Sequence, residues 1–464
     1  MEVIGILLSL FLLMFFAYRG FSVILFAPVF ALLAASLSGL SLMPAYTELF
    51  MAKAVTYVKS FFPVFMLGAV FGKIMEDTGL AKGIAHSIIK GLGKERAILA
   101  VVLSASVLTY GGVSLFVVVF AVYPFAAALF READIPKRLL PGTVALGAFT
   151  ATMDAFPGTP QIQNLIPTNF FGTTGYAAPI CGLLGGIAIY CIGMWYLEGR
   201  RKAAAAAGEG YGAHTLNEPE VKNEGPLPSW HIAMLPLLTV LVVNFIMTRF
   251  SWDPTMLQPF LAMKLPLTAA AVKNVVSIWA LIIALVCGIL LAIALGFSRL
   301  PQGGLAKSLN AGAIGSLLAI MNTASEVGYG NVIASLSGFK AISGALLGIK
   351  VGGSPLVSEA VSVTTLAGIT GSASGGMSIA LDLMAKDWLA WANQIGMSPE
   401  ILHRVASMAS GGMDTLPHNG AVITLLAVCG LTHRDSYRDI FAITCIKTAM
   451  VFAIIIFHSI TGIL

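Results

Sequence analysis

Two stretches of the chain combine an acid, helix-breaking residues and uncharged polar side chains. The first runs from Thr150 through Met153, Asp154, Pro157, Gly158, Thr159, Pro160, Gln161 and Gln163 to Asn164. Two prolines and a glycine within four residues cannot continue a helix, so main-chain N–H and C=O groups are freed there. The helix that restarts after Pro160 aims its positive end back at the break, which suits a carboxylate. The second stretch runs from Ser407 through Ser410, Gly411, Gly412, Met413, Asp414, Thr415, Pro417, His418 and Asn419 to Gly420. It repeats the acid, the proline and the polar cluster, with a histidine added. A histidine beside an acid at a helix break is a candidate to titrate near neutral pH. The plainer role for Asp154 and Asp414 is helix capping.

Two glycine-rich segments resemble hairpin tips. One is Ser104-Ala-Ser106-Val-Leu-Thr109-Tyr-Gly111-Gly112-Val-Ser114, and the other is Thr370-Gly-Ser372-Ala-Ser374-Gly375-Gly376. Glycine permits a sharp turn and close backbone approach. Hydroxyls and free N–H groups can hold an anion without a full positive charge. None of the four segments contains Arg or Lys, so binding by dipoles and hydroxyls is expected, with no basic clamp. The candidate ligands are Ser106, Thr109, Gly111, Gly112, Ser114, Thr159, Asn164, Ser372, Ser374, Gly375, His418 and Asn419. The candidate proton carriers are Asp414 and His418, then Asp154, with Glu359 on a hairpin arm as a relay. Glu76, Asp77 and Glu326 read as capping or interfacial groups at span ends, and Asp382 as a proton carrier or a side chain reaching the outer interface.

The elements that must position these residues follow from composition. The chain has 464 residues, 57% hydrophobic and 11% charged, with a net charge of +5 and a mean hydropathy of +0.88. A soluble domain carries about 25% charged residues. The composition therefore excludes a cytosolic enzyme, a disordered chain and a nucleic-acid binder, and predicts an all-α polytopic membrane protein. Apolar runs near 2–18, 21–41, 55–75, 177–197, 230–249, 275–297, 308–326 and 440–462 are long enough to be spans. The first ends at Arg19 with no small-residue cleavage pattern and reads as a true span. The five cysteines all lie in apolar runs, without a CxxC pair, so neither a disulfide framework nor a metal site is expected.

Residues 199–229 are the one sustained polar segment and read as a solvated cytoplasmic linker, disordered or partly helical. Its two sides look alike. Asp77–Ala85 matches Glu326–Ala334, Met153-Asp154-x-x-Pro157 matches Met413-Asp414-x-x-Pro417, and the two glycine-rich tips fall between in the same order. This pattern predicts a duplication, with 1–198 as one repeat and 230–464 as the other. The first repeat would hold a re-entrant hairpin at about 97–131 and a broken helix at about 137–173. The second would hold a hairpin at about 343–388 and a broken helix at about 399–431. An odd number of crossings per half would invert the second repeat relative to the first. Basic residues support this orientation. Lys90, Lys94, Arg96, Arg131, Lys137, Arg138, Arg200, Arg201 and Lys202 would share the cytoplasmic side. Lys53, Lys59 and Arg404 would be among fewer charges outside, both termini would be periplasmic, and Lys447 would lie within the last span.

No Walker A loop, potassium-filter run, HExxH or nucleophile pattern is present, so neither ATP-driven transport nor an enzyme is expected, and no cofactor. The tip at 371–376, the run Gly411-Gly-Met-Asp-Thr-Leu-Pro-His-Asn-Gly420 and Thr432-His-Arg-Asp-Ser-Tyr-Arg438 resemble the gluconate permease family, within the wider ion transporter superfamily, over essentially the whole length. Gluconate-type members carry an Asn-Asp-Ser-Gly-Phe pattern in the second broken helix. Leu-Pro-His-Asn-Gly is similar to the branch of D-3-hydroxybutyrate permeases. The resemblance implies a proton-coupled importer of small hydroxy-carboxylates in the bacterial inner membrane. It also implies a homodimer whose protomers pair a scaffold with an elevator-like transport domain of two hairpins and two broken helices. The alternatives are a sodium-coupled carboxylate symporter, a gluconate-type sugar acid permease and, in another class, a passive anion channel.

Overall fold

The computed structural model describes residues 2–19, 21–113, 115–218, 227–263, 272, 275–301, 304–349, 351–417 and 419–464. Two candidate ligands, Ser114 and His418, lie outside the described residues. Helices account for the regular structure, and no strand occurs among the described residues.

Before the linker the order is α1 (Glu2–Tyr18), α2 (Val23–Leu37), α3 (Leu42–Asp77), α4 (Leu80–Leu92), α5 (Ala97–Tyr110), α6 (Leu115–Glu132), α7 (Leu140–Ala148), α8 (Ala151–Asp154), α9 (Ile162–Phe171) and α10 (Pro179–Ala206). After it come α11 (Trp230–Arg249), α12 (Val276–Gly296), α13 (Gly304–Ser335), α14 (Phe339–Leu347), α15 (Leu356–Thr370), α16 (Ala373–Gln394), α17 (Pro399–Ser410), α18 (Gly420–Val428) and α19 (His433–Thr461). Six of these helices are long and apolar enough to cross a membrane. Large apolar side chains such as Trp195 and Ile460 point outward, as a lipid-facing surface requires.

The packing has a regular plan. Helix α3 runs against α13, α3 also packs on α12, and α13 packs on α2. Hairpin helix α5 lies on α7, and α15 lies on α17. Across the halves, α6 meets α18 and α9 meets α16. The hairpins and broken helices thus form one interlocked group, alongside a second group built on α3 and α13.

Local chemistry explains the breaks. Helix α9 ends at Gly172 and α15 at Gly371, both in the left-handed region at φ 65° and 66°. Ser372 caps α16 by accepting from the Gly375 N–H. Ser398 and Pro399 start α17, and Asn419 caps α18 by accepting from the Ala421 and Val422 N–H groups. Thr432 and Asp435 form a reciprocal capping box at the start of α19.

The structure corrects three boundaries. The second hairpin begins at Leu356, because 343–347 belong to the separate short helix α14, and its second arm continues to Gln394. Glu326 is not at a span end. It lies within α13, which runs on to Ser335, whereas Asp77 is the last residue of α3, so that sequence match does not mark equivalent places. The linker is not a free tether up to Glu218. Helix α10 extends through its alanine run to Ala206, and residues 209–218 fold back onto α6, the start of α7 and α18. Glu209 pairs with Arg138 at 2.6 Å, Glu218 with Lys137 at 2.6 Å and with Arg131, and the Tyr123 hydroxyl donates to the Asn217 carbonyl at 2.8 Å. Lys137, counted among the cytoplasmic charges, is fully buried here.

Candidate functional site

Asp154 ends α8 at the first break, and Asp414 lies in the second break between α17 and α18. Both are buried. Between them stands Lys447 of α19, itself buried, with its ammonium 3.2 Å from Asp154 Oδ2 and 3.6 Å from Asp414 Oδ1. It also donates to the Phe149 carbonyl, exposed where α7 gives way to α8. One cation therefore joins both acids. The expectation of a site without a basic group is overturned. The four segments lack Lys and Arg, but a long side chain from the last span reaches into them. Gly411 makes room for this arrangement, since a Cβ there would fall on the Asp154 carboxylate and the Lys447 ammonium.

The second buried cation is Arg404 of α17, expected among the external charges. Its guanidinium donates to the carbonyls of Ala177 (2.8 and 3.1 Å), Gly175 (3.4 Å) and Asp154 (3.4 Å), and to Asn164 Oδ1 (3.1 Å). A planar fork of five donors suits main-chain oxygens left bare by a broken helix. Ser407 adds a donation to the Asp154 carbonyl at 2.7 Å. The first break is thus held together by side chains from the opposite half of the chain.

Each break is also tied to its own hairpin tip in the same way. Gln161, which precedes α9, donates to the Thr109 carbonyl at 2.7 Å. Asn419, which precedes α18, donates to the Gly371 carbonyl at 2.7 Å. Tips and breaks are therefore adjacent in both halves.

Among the candidate ligands, several have their polar atoms committed. The Asn164 amide donates to the Thr159 and Gly175 carbonyls while its oxygen faces Arg404 and His403 Nε2. Thr159 donates to the Thr152 carbonyl at 2.6 Å. Ser106 lies 2.8 Å from the Tyr190 hydroxyl and donates to the Val102 carbonyl at 2.7 Å. The Thr109 hydroxyl is buried with no partner. Gly111 packs against Leu237, and Gly112, at φ 94°, faces Pro160. Ser374 lies 3.4 Å from Thr323 on α13. At the second tip a Cβ on Gly375 would strike the carboxylate of Glu326. Glu359 is fully buried on α15 with neither carboxylate oxygen hydrogen-bonded. Asp382 lies on α16 and is paired with Lys53 at 2.8 Å.

Two cavities are of note. One of about 420 Å³ lies beside the first break and is lined by Ser106, Tyr110, Thr152, Phe156, Tyr190 and Met194, among mostly apolar walls. Another, of about 270 Å³ and more polar, lies between α3, α9, α12, α13 and α16.

Two discontinuous helices thus meet with their acids sharing one buried lysine, each break tied to its hairpin tip. Residues 1–384 match the GntP family permease description. The chain belongs to this permease family. It is 53% identical, over the full length of both chains, to the "Uncharacterized transporter YxjC" of Bacillus subtilis (strain 168). Two solved structures also align. The Alcanivorax borkumensis YdaH transporter shares 16% identity, with 88% of this chain and 87% of that one covered, at a TM-score of 0.47. Neisseria gonorrhoeae MtrF shares 13%, with 93% of each chain covered, at 0.48. As a GntP family permease, the chain is an integral membrane transporter for a small anionic substrate.

Signals in the sequence pointed to Asp154 and Asp414, through their prolines. Lys447 and Arg404 were missed as site residues. Lys447 in the middle of an apolar span was the available signal for one of them, because a lone charge at that depth is costly unless paired.

Proposed function

We propose that this permease is a proton-coupled symporter that imports a small hydroxy-monocarboxylate, with 3-hydroxybutyrate as the candidate substrate. The observation that carries the reading is the Asp154–Lys447–Asp414 triad. With both acids ionised, the lysine is fully engaged. When a proton neutralises one acid, one ion pair is lost and the ammonium gains a free direction in which to receive a substrate carboxylate. Proton and anion binding then favour each other, which is the requirement for symport. The pair enters as a load of no net charge, which lowers the cost of crossing an apolar barrier.

The substrate would lie between the tips and the breaks. Thr109, Ser372, Ser374 and the main chain at Gly111, Gly112 and Gly375 would offer donors, joined by Ser114 and His418, with Ser106 lining the site. Asn164, Thr159 and Asn419, whose polar atoms hold the breaks and tips together, would shape the site. Asp414, with His418 and then Asp154, would take the coupling proton, and Glu359 would relay. The matching order of helices, the matching contacts and the paired Gln161 and Asn419 hydrogen bonds support two inverted repeats, 1–198 and 230–464. The interlocked hairpins and broken helices would form the moving unit of an elevator against a scaffold that includes α3 and α13. A homodimer in the bacterial inner membrane, with the linker cytoplasmic and the termini periplasmic, completes the reading.

The test is uptake of labelled D-3-hydroxybutyrate by proteoliposomes with an alkaline interior, challenged with gluconate, lactate, citrate and acetoacetate. Accumulation that a protonophore abolishes and that competes best with short hydroxy acids supports it. Accumulation only under a sodium gradient at equal pH contradicts the coupling, preference for gluconate contradicts the substrate, and unsaturable downhill flux contradicts symport.

A further inference from the structure

A second buried acid lies outside the triad. Glu326 sits within α13, 3% exposed, with Oε2 lacking any hydrogen-bond partner. It meets the second hairpin tip at Gly375, where Ser372 already supplies the cap of α16. Its surroundings are hydroxyls. The Ser372 hydroxyl meets the same place at Gly375, and Tyr57 of α3 and Ser378 of α16 are buried with no hydrogen-bond partner for their own oxygens. Tyr57 and Ser378 are also wall residues of the polar cavity of about 270 Å³, whose other polar lining includes Lys53, Lys59, Asn169 and Asp382. The cavity also reaches Val327, the residue after Glu326 in α13. The charged groups of the neighbouring elements are engaged elsewhere: Lys53 with Asp382 at 2.8 Å, while the Tyr329 hydroxyl of α13 lies 2.9 Å from Ser9. Tyr57, Lys53 and Lys59 on α3 and Asp382 on α16 are the titratable groups on that side. No basic side chain forms an ion pair with Glu326 among the described residues.

We infer that Glu326 is a further proton-carrying residue of the transport cycle, served from the adjoining cavity whose wall includes Tyr57, Ser378 and Val327. The inference rests on the proton-coupled reading but places a proton at a different site. A hydronium ion from the cavity gives its proton to a Glu326 oxygen, forming the O–H bond of the carboxylic acid and leaving water behind. The contact with Gly375 then makes the fit of the second tip against α13 depend on whether the acid is protonated.

Two measurements test this. Infrared difference spectra of the purified protein between acid and alkaline pH should show the carbonyl stretch of a titrating buried carboxyl, absent in Glu326→Gln. This readout needs no substrate, so it stands apart from the identity of the cargo. In proteoliposomes, Glu326→Gln should lose at least tenfold in pH-driven accumulation of D-3-hydroxybutyrate while counterflow exchange persists, and Glu326→Asp should recover part of the accumulation. If Glu326→Gln does not fold, Tyr57→Phe and Ser378→Ala should slow pH-driven uptake and shift its pH profile. A carboxyl band unchanged by Glu326→Gln, or full accumulation by that variant, overturns the inference. So does an unaltered pH profile in both hydroxyl variants, or sodium-driven uptake that Glu326→Gln removes.

Discussion

The Lys447 ammonium lies 3.2 Å from the Asp154 carboxylate, although the two residues come from opposite halves of the chain. The contact joins the last span to the first broken helix, and Asp414 closes the triad from the second. The first break is not complete without the second half.

Lys447→Met should leave two buried acids without their cation. Removing one partner of a buried ion pair costs about 3–5 kcal/mol. A markedly lower apparent melting temperature in detergent and loss of uptake are expected. A variant as stable and active as the parent would show that the lysine is not paired in the membrane.

Gly411→Ala should act at the same place by sterics alone, because its Cβ would overlap the Asp154–Lys447 pair. Gly68→Ala on α3, which meets nothing within 4 Å, is the control. Uptake by the first variant should fall at least tenfold, while the second should match the parent. Equal activity of the two would mean that the triad is looser than described.

Arg404→Lys keeps the charge and loses the fork. The carbonyls of Ala177 and Gly175 and the Asn164 oxygen would lose donors, at a cost of about 2–3 kcal/mol. A lower melting temperature, measured on the purified protein, is the expected outcome, and an unchanged one would argue against its structural role.

The folded-back linker should be pH-sensitive. Burial pushes the Glu218 carboxyl up, but hydrogen bonds and attraction from Lys137 and Arg131 outweigh it and hold the group below its ordinary value. Glu209 is held low by its hydrogen bonds to Arg138. For acids shifted down on docking, the stabilisation is fully present above the ordinary glutamate value, about pH 4.3, and fades as pH falls through the docked value. A spin label at Thr215→Cys in a cysteine-free background should therefore be ordered at neutral pH and gain mobility in acid. Glu218→Gln should be more mobile already at neutral pH. Mobility that does not depend on pH or on Glu218 would contradict the ion-pair account.

Much of the helix plan was legible in the sequence because membrane helices are set by local apolar length. Trp230–Arg249 matches its expected range, and the breaks fall at Pro157 and Pro417, where backbone hydrogen bonding must stop. What was hidden depends on distant contacts. Arg404 looks like an external charge until α17 is seen against the first break, and Glu326 looks like an interfacial acid until α13 is seen to continue past it. The polar composition of 207–218 gave no hint that Lys137 and Arg131 would hold it down, because pairing between segments leaves no periodic trace.

The most direct test of the central claim is pH-driven accumulation of D-3-hydroxybutyrate by Asp414→Asn in proteoliposomes, beside the unaltered protein in the same preparation. The amide cannot carry the coupling proton, so the account expects no accumulation above the external concentration. Uphill accumulation equal to that of the unaltered protein would contradict it.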